Sequence, residues 1–287
     1  MHNTILHKDC SLCIKRGVER LINKFNLSKD KELAIRNFTE NLLKSPNLPI
    51  SPLIQREINR ELIKLTNIPD LYKKEKEESN KIAMELVENL KTNLLKENRN
   101  FKTFLRFAIA GNIMDYGAFD NFDINNSIGK ALNMKFSIDH SEQLYEKIQE
   151  AKTILYLGDN AGEIVFDKLF IENCMKNKVI YVVKASAIIN DVTIKDAKYV
   201  GMHKIAKVIS NGFDAPSTIL SKSSSEFLED YKSADLIISK GQGNLEGLLD
   251  EKDKRLFFLL MVKCDIIAQR LKVEKNSFVV LNNTYEY

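Results

Sequence analysis

Residues 153–163 read Thr153-Ile154-Leu155-Tyr156-Leu157-Gly158-Asp159-Asn160-Ala161-Gly162-Glu163. A continuous apolar run of this length suits a strand buried on both faces, and Gly158, Asp159 and Asn160 end it in a turn. A helix is expected from about Glu163, since acidic residues favour helix N-termini. The same beat of strand, polar turn and amphipathic segment recurs downstream. Val179–Val183, Lys207–Ser210, Asp235–Ser239 and Leu256–Val262 are the next strand candidates, and Ser277–Leu281 is a sixth, expected on an edge. Strands separated by helical segments need crossover connections, hence a mostly parallel sheet covered on both faces.

Upstream of about residue 150 the rhythm is helical. Ile82, Leu86, Leu90 and Leu94 step by four, with Ala83 and Val87 beside them, and Leu33, Phe38 and Leu42 suggest a second stripe from a helix entered near Ser28 or Asp30. Pro46, Pro49, Pro52 and Pro69 punctuate this half, and Ser51-Pro52 suits an N-cap followed by proline at the first helical position. The chain therefore divides into a helical domain over 1–150 and an α/β domain over 151–287.

With 287 residues, 44% of them hydrophobic, the chain can bury one core plus a smaller accessory one. No stretch approaches the ~18–20 uncharged apolar residues that span a bilayer, so no membrane partner is expected. The opening Met1–Cys10 segment lacks the order of a secretory signal, which makes the cytoplasm the expected address. The 43 basic and 39 acidic residues leave a formal charge of only +4. Lysines interleave with glutamates, as in Lys73-Lys74-Glu75-Lys76-Glu77-Glu78, which reads as a solvated helix face rather than a nucleic-acid patch. Cys10, Cys13, Cys174 and Cys264 are too few and too scattered for a disulfide scaffold. Cys10-x-x-Cys13 supplies half of a structural zinc site, with His7 or Cys264 as candidate further ligands; a redox pair, or two half-buried thiols on one helix, are the alternatives.

In open parallel sheets, ligands bind beyond the carboxyl ends of the strands. Polar and glycine residues gather at those ends: Gly158 to Glu163, Lys184 to Thr193, Asn211 to Asp214, Lys240 to Asn244 and Lys263 to Asp265. Asp159, Asn160 and Asp191 offer hard oxygen donors suited to Mg²⁺ or Mn²⁺, in the sparse pattern that leaves room for water and a phosphate. The plainer reading makes Asp159 a helix cap and Asn160 a turn residue. Lys240-Gly241-Gln242-Gly243-Asn244 lets backbone N–H groups face an anion beside a full positive charge, although a tight turn explains the glycines equally. Neither the Walker A pattern nor the dinucleotide fingerprint is present.

Taken in order, Cys10-x-x-Cys13, Gly111-Asn112-Ile113-Met114-Asp115, Gly158 to Glu163, Asn190-Asp191-Val192-Thr193, Lys240 to Asn244 and Lys263-Cys264 resemble the damage-control phosphatase family, also called acidic-residue-methyltransferase-like and long a domain of unknown function. The short form with the N-terminal cysteine pair looks like its archaeal and bacterial branch. The resemblance implies a three-layer α/β/α sandwich with a Rossmann-like sheet and a helical N-terminal part. It implies metal ligands at Asp159, Asn160 and Asp191, with Mg²⁺, Mn²⁺, Co²⁺ or Ni²⁺ as the cation, and Lys240 holding the phosphate. Asn112 and Asp115 would close the pocket from the helical part. Asn190, Gly241, Gln242, Asn244, Lys184 and Lys263 stand with them as candidate substrate or phosphate contacts. Many relatives carry arginine where this chain has Lys184, and lysine grips phosphate at one point rather than two.

The implied activity is metal-dependent hydrolysis of small phosphorylated metabolites, sugar phosphates or related esters, in metabolite damage control. Asp159, Glu163 and Lys240 are the catalytic candidates, Glu163 as general base or as a helix cap. The nucleophile is a metal-bound water or Asp159 itself, with water favoured because the Asp-x-Asp of aspartyl-phosphate enzymes is missing. The rivals are an adenosylmethionine-dependent carboxyl methyltransferase, which lacks its usual glycine-rich loop here, and a non-enzymatic metal- or metabolite-binding protein.

Overall fold

The computed structural model describes residues 8–45, 50–93, 100–111, 133–176 and 178–284. Among the described residues, the helices α1 (Lys8–Phe25), α2 (Lys29–Leu43), α3 (Ser51–Thr66), α4 (Lys73–Asn93) and α5 (Phe101–Ala110) come first. Strands and helices then alternate: β1 (Phe136–Asp139), α6 (Ser141–Glu150), β2 (Thr153–Leu157), α7 (Glu163–Cys174), β3 (Lys178–Val183) and α8 (Ile194–Tyr199). The series ends with β4 (Lys207–Ser210), α9 (Ser225–Ser233), β5 (Leu236–Lys240), α10 (Gly241–Leu248), β6 (Leu256–Met261), α11 (Asp265–Leu271) and β7 (Phe278–Asn282).

The seven strands form one sheet in the order β1-β7-β6-β5-β2-β3-β4. Every neighbouring pair is parallel except β6 with β7. The expected five strands are all present, and β2 to β6 share one direction, so their carboxyl ends lie along one edge. The sixth was expected on an edge, but β7 lies between β6 and β1. The short β1, in the half read as helical, pairs with β7 and covers that flank.

Alternate side chains of each inner strand enter opposite layers. Ile154 and Tyr156 of β2 pack under α4, α5, α6 and α7, whereas Leu155 and Leu157 face α9, α10 and α11. Burial on both sides is what makes the run continuously apolar. Helix α7 is buried nearly all round, Glu163 and Asp167 included, because α4 and α5 cover its outer side. Helices α1 to α3 keep a separate cluster around Val18, Ile35, Ile54 and Leu62. Residues 133–150 instead add β1 and α6 to the sheet and its core.

Several local expectations are corrected. Leu33 is exposed, and α2 buries Ile35 and Thr39 with Phe38 and Leu42 half-buried beside them. Helix α3 begins at Ser51 with Ile50 as its cap, one residue earlier than Ser51-Pro52 suggested. The charged run opening α4 is not solvated all round: Lys76, Ser79 and Asn80 are buried. Leu94 lies outside the described residues. No helix among the described residues is long and apolar enough to cross a membrane.

Candidate active site

Strand order reverses at β2: β3 and β4 lie to one side, β5 and β6 to the other. The two segments leaving β2 and β5 part there, at the position where open α/β sheets form their ligand crevice. Asp159 stands in it after β2, and Gly241 after β5. The contact is close enough that a Cβ on Gly241 would lie 1.9 Å from Asp159 Oδ2, and Gly241 has a φ of +77°. Only glycine combines that backbone conformation with that lack of volume.

The loops after β2 and β3 are stitched together by their backbones. Asn160 and Asp191 form an antiparallel bridge. Ala161 N–H donates to Asn190 O, and Val192 N–H donates to Asp159 O, both at 2.9 Å. Asp159, Asn160 and Asp191 are thereby brought side by side, each buried. The Asn160 amide Nδ2 donates to Asp159 Oδ2 at 2.8 Å. Helix α4 supports the turn from outside, where Asn80 Oδ1 accepts from Gly162 N–H at 2.7 Å. Asn80 and Lys76 also reach Asp196, which closes a capping box with Thr193 at the start of α8.

Lys184, at the end of β3, is buried with its ammonium 3.7 Å from Asp191 Oδ2 and donating to Asn244 Oδ1 at 3.0 Å. Burial lowers its pKa, while Asp191 and Asp159 oppose the shift. Asn244 is a cross-brace, since its Nδ2 donates to Lys240 O at 2.8 Å and Gly158 O at 3.2 Å. Gln242 is likewise engaged, accepting from Lys263 N–H and donating to Glu246 and Cys264 Sγ. Both side chains thus brace the loops that leave β5 and β6. Asn190 is buried in the β3 loop, and the Lys263 side chain is half-buried at the end of β6. Ser186, on the same edge, is exposed. Asn112 and Asp115 lie outside the described residues.

Lys240 departs from the expected phosphate contact. It is fully buried, and its three ammonium protons face Glu163 Oε1 at 2.5 Å, Asp167 Oδ1 at 2.5 Å and Ala108 O at 2.8 Å. A three-donor ammonium is saturated by those acceptors, which leaves none for a substrate. Burial would lower its pKa, but Asp167 and Glu163 outweigh that and raise it. Glu163 was read as general base or cap; its carboxylate turns inward, away from solvent, onto this lysine.

Asp167, Tyr156 and Tyr181 were not singled out from the sequence. Both tyrosine hydroxyls donate to Asp167 at 2.8 Å. Burial pushes the Asp167 carboxyl up to about 6, with Lys240 opposing and Glu163 adding to the rise. One signal was available: two tyrosines in otherwise aliphatic strands, paired in register, with acidic residues four apart on the following helix.

The donor set fits a hard divalent cation. Two carboxylates and an amide carbonyl suit Mg²⁺ or Mn²⁺, which keep several waters. Among the described residues, no group of three or more His, Cys, Asp or Glu side chains is arranged for a metal, so this set stands on its amide oxygen. The structural metal expected at Cys10 and Cys13 gains no such cluster, and His7 is outside the described residues. Burial pushes the Cys10 thiol up to about 11, with Glu246, Cys264 and Cys13 nearby adding to the rise.

The fold defines an α/β protein of the doubly wound class, with Asp159, Asn160 and Asp191 side by side at its switch point. The family model described as the damage-control phosphatase ARMT1-like domain matches residues 6–279. The chain belongs to the damage-control phosphatase family. It is 34% identical over 284 residues to a damage-control phosphatase of Pyrococcus horikoshii, covering 97% of this chain and 98% of that one. An uncharacterized protein of Methanocaldococcus jannaschii is also 34% identical, over 95% of this chain and 94% of its own length. The crystal structure of a DUF89 family protein from Pyrococcus horikoshii superposes with a TM-score of 0.89 at 32% identity, covering 96% of this chain and 98% of that one.

Proposed function

We propose that this protein is a divalent-metal-dependent phosphomonoester hydrolase acting on small phosphorylated metabolites, sugar phosphates or related esters, in metabolite repair. The observation that carries the reading is the meeting of Asp159, Asn160 and Asp191 beside Lys184 at the sheet's switch point, in a chain of this family. Asp159, Asn160 and Asp191 would hold the cation, which when bound polarises phosphoryl oxygens and neutralises their charge.

The chain's own residues supply the rest. Phosphoryl transfer is catalysed mainly by positioning and charge stabilisation. Lys184, beside Asp191 and aimed by Asn244, takes the phosphate-binding role first given to Lys240. The first N–H groups of α10 lie next to Asp159 at the crevice and suit the phosphate oxygens. Glu163 is held too tightly by Lys240 to serve as base. Water is the attacking group, since the strand end reads Asp159-Asn160-Ala161 rather than Asp-x-Asp.

The test is phosphate release from a panel of phosphate esters with Mg²⁺, Mn²⁺, Co²⁺ or Ni²⁺, with and without chelator. Turnover is expected to disappear with chelation and to fall at least about 100-fold in Asp159→Asn, the scale of misplacing a reacting group. Equal turnover by the folded variant would rule this reading out.

A further inference from the structure

The Asn160 amide is oriented by what its nitrogen touches. Nδ2 lies 2.8 Å from Asp159 Oδ2 and 3.5 Å from Glu163 Oε2. Exchanging the amide oxygen and nitrogen would set Oδ1 against two carboxylate oxygens, so these acceptors decide which end turns away. The end that turns away is the carbonyl oxygen, the atom a hard cation takes.

Glu163 is itself held in place. It is fully buried, with Oε1 on Lys240 Nζ at 2.5 Å. Lys240 is fixed in turn by Asp167 and the Ala108 carbonyl. Asp167 is anchored at both oxygens, Oδ1 by the Tyr156 hydroxyl and Oδ2 by the Tyr181 hydroxyl. Those rings stack 5.4 Å apart, 18° from parallel, across two adjacent strands of the sheet. The series therefore runs from the middle of the sheet to the donor atoms without leaving the interior.

Burying two carboxylates on one ammonium is expensive, and apolar side chains of similar volume would often stabilise a fold as well or better. No step of the proposed hydrolysis touches Asp167, Tyr156 or Tyr181.

We infer that Asp167 is a positioning residue of the cation site, acting through Lys240 and Glu163 to keep the Asn160 carbonyl oxygen turned to the cation. The inference rests on the phosphatase reading of that site and deepens it. Groups that orient metal ligands from behind commonly change metal affinity 10- to 100-fold when lost.

The experiment is calorimetric titration of Mn²⁺ into the wild-type protein, Asp167→Asn, Glu163→Gln, Tyr181→Phe and Asp159→Ala, with circular dichroism to verify folding. Asp167→Asn and Glu163→Gln are expected to weaken Mn²⁺ binding about tenfold. For Asp167→Asn, KM for a phosphate ester at saturating Mn²⁺ should stay unchanged. Tyr181→Phe, which keeps the ring, should weaken Mn²⁺ binding about threefold, as loss of one hydrogen bond would. It decides the matter if the aspartate variant fails to fold. A folded Asp167→Asn with wild-type Mn²⁺ affinity, or one that raises only KM, overturns the inference and leaves the phosphatase reading intact. A wild-type protein that takes up no Mn²⁺, or Asp159→Ala binding it as well as wild type, overturns both.

Discussion

Gly241 carries the tightest steric condition in the crevice. A methyl group there would collide with the Asp159 carboxylate, and its φ of +77° is one that L side chains rarely adopt. Gly241→Ala is expected to push Asp159 aside and lower phosphatase turnover about 100-fold, the effect of displacing a reacting group by about 1 Å. It should also cost about 1–2 kcal/mol of stability from the backbone conformation. Steady-state kinetics beside a thermal melt would check both, and unchanged turnover would mean that Asp159 is not constrained from that side. At this scale the sequence was informative wherever a residue's place on a strand end fixed its surroundings, as for Asp159, Asn160 and Asp191. It gave no direction for the Lys240 ammonium, because direction depends on long-range partners. Ala108 and Asp167 lie 132 and 73 residues away from it, and no local pattern reveals that an ammonium points inward.

Helix α3 is tied to the loop after β4 by one carboxylate. Asp214 accepts from Arg56 Nε at 2.6 Å and Arg60 Nε at 2.9 Å, and the Arg56 guanidinium lies 4.5 Å from the centre of the Phe213 ring. Burial would raise the Asp214 carboxyl, but hydrogen bonds from the two arginines outweigh it and hold it below its ordinary value. A carboxyl lowered in the folded state stabilises that state above its unfolded pKa, about 3.9. The contribution is lost as pH falls through the lower folded value. Asp214→Asn should therefore lower stability near neutral pH by about 1 kcal/mol after solvent screening. The gap between variant and wild-type melting curves should close in strong acid; a gap that persists there would contradict the clamp. The helices and inner strands were legible because their apolar periods are long and regular. β1 was not, for its four residues bury only Ile138. The place of β7 was equally hidden, because its covering strand is β1 itself. The buried side of α4 was hidden because its partners are distant in sequence: Lys76 and Asn80 donate to Asp196, and Asn80 accepts from Gly162 N–H.

The donor set joins the ends of two central strands and is braced by α4 from outside the sheet. A cation bound there should stabilise the molecule as a whole rather than one loop. At a free Mn²⁺ concentration of about 100 Kd, linkage gives about 2.7 kcal/mol. For a chain of this size that corresponds to a rise in Tm of about 5 °C. Scanning calorimetry with Mn²⁺ against chelator would measure it, and Asp191→Asn should abolish the shift. A rise of equal size in that variant would place the cation elsewhere. The arrangement of β1 and β7 bears on how the molecule is made. On the ribosome, β1 emerges roughly 140 residues ahead of the strand it must pair with. At about 5–20 residues per second the nascent chain waits about 7–30 s before that flank can close. Through that interval β1 has no strand to pair with, so aggregation during synthesis, and any chaperone that prevents it, has its opening there.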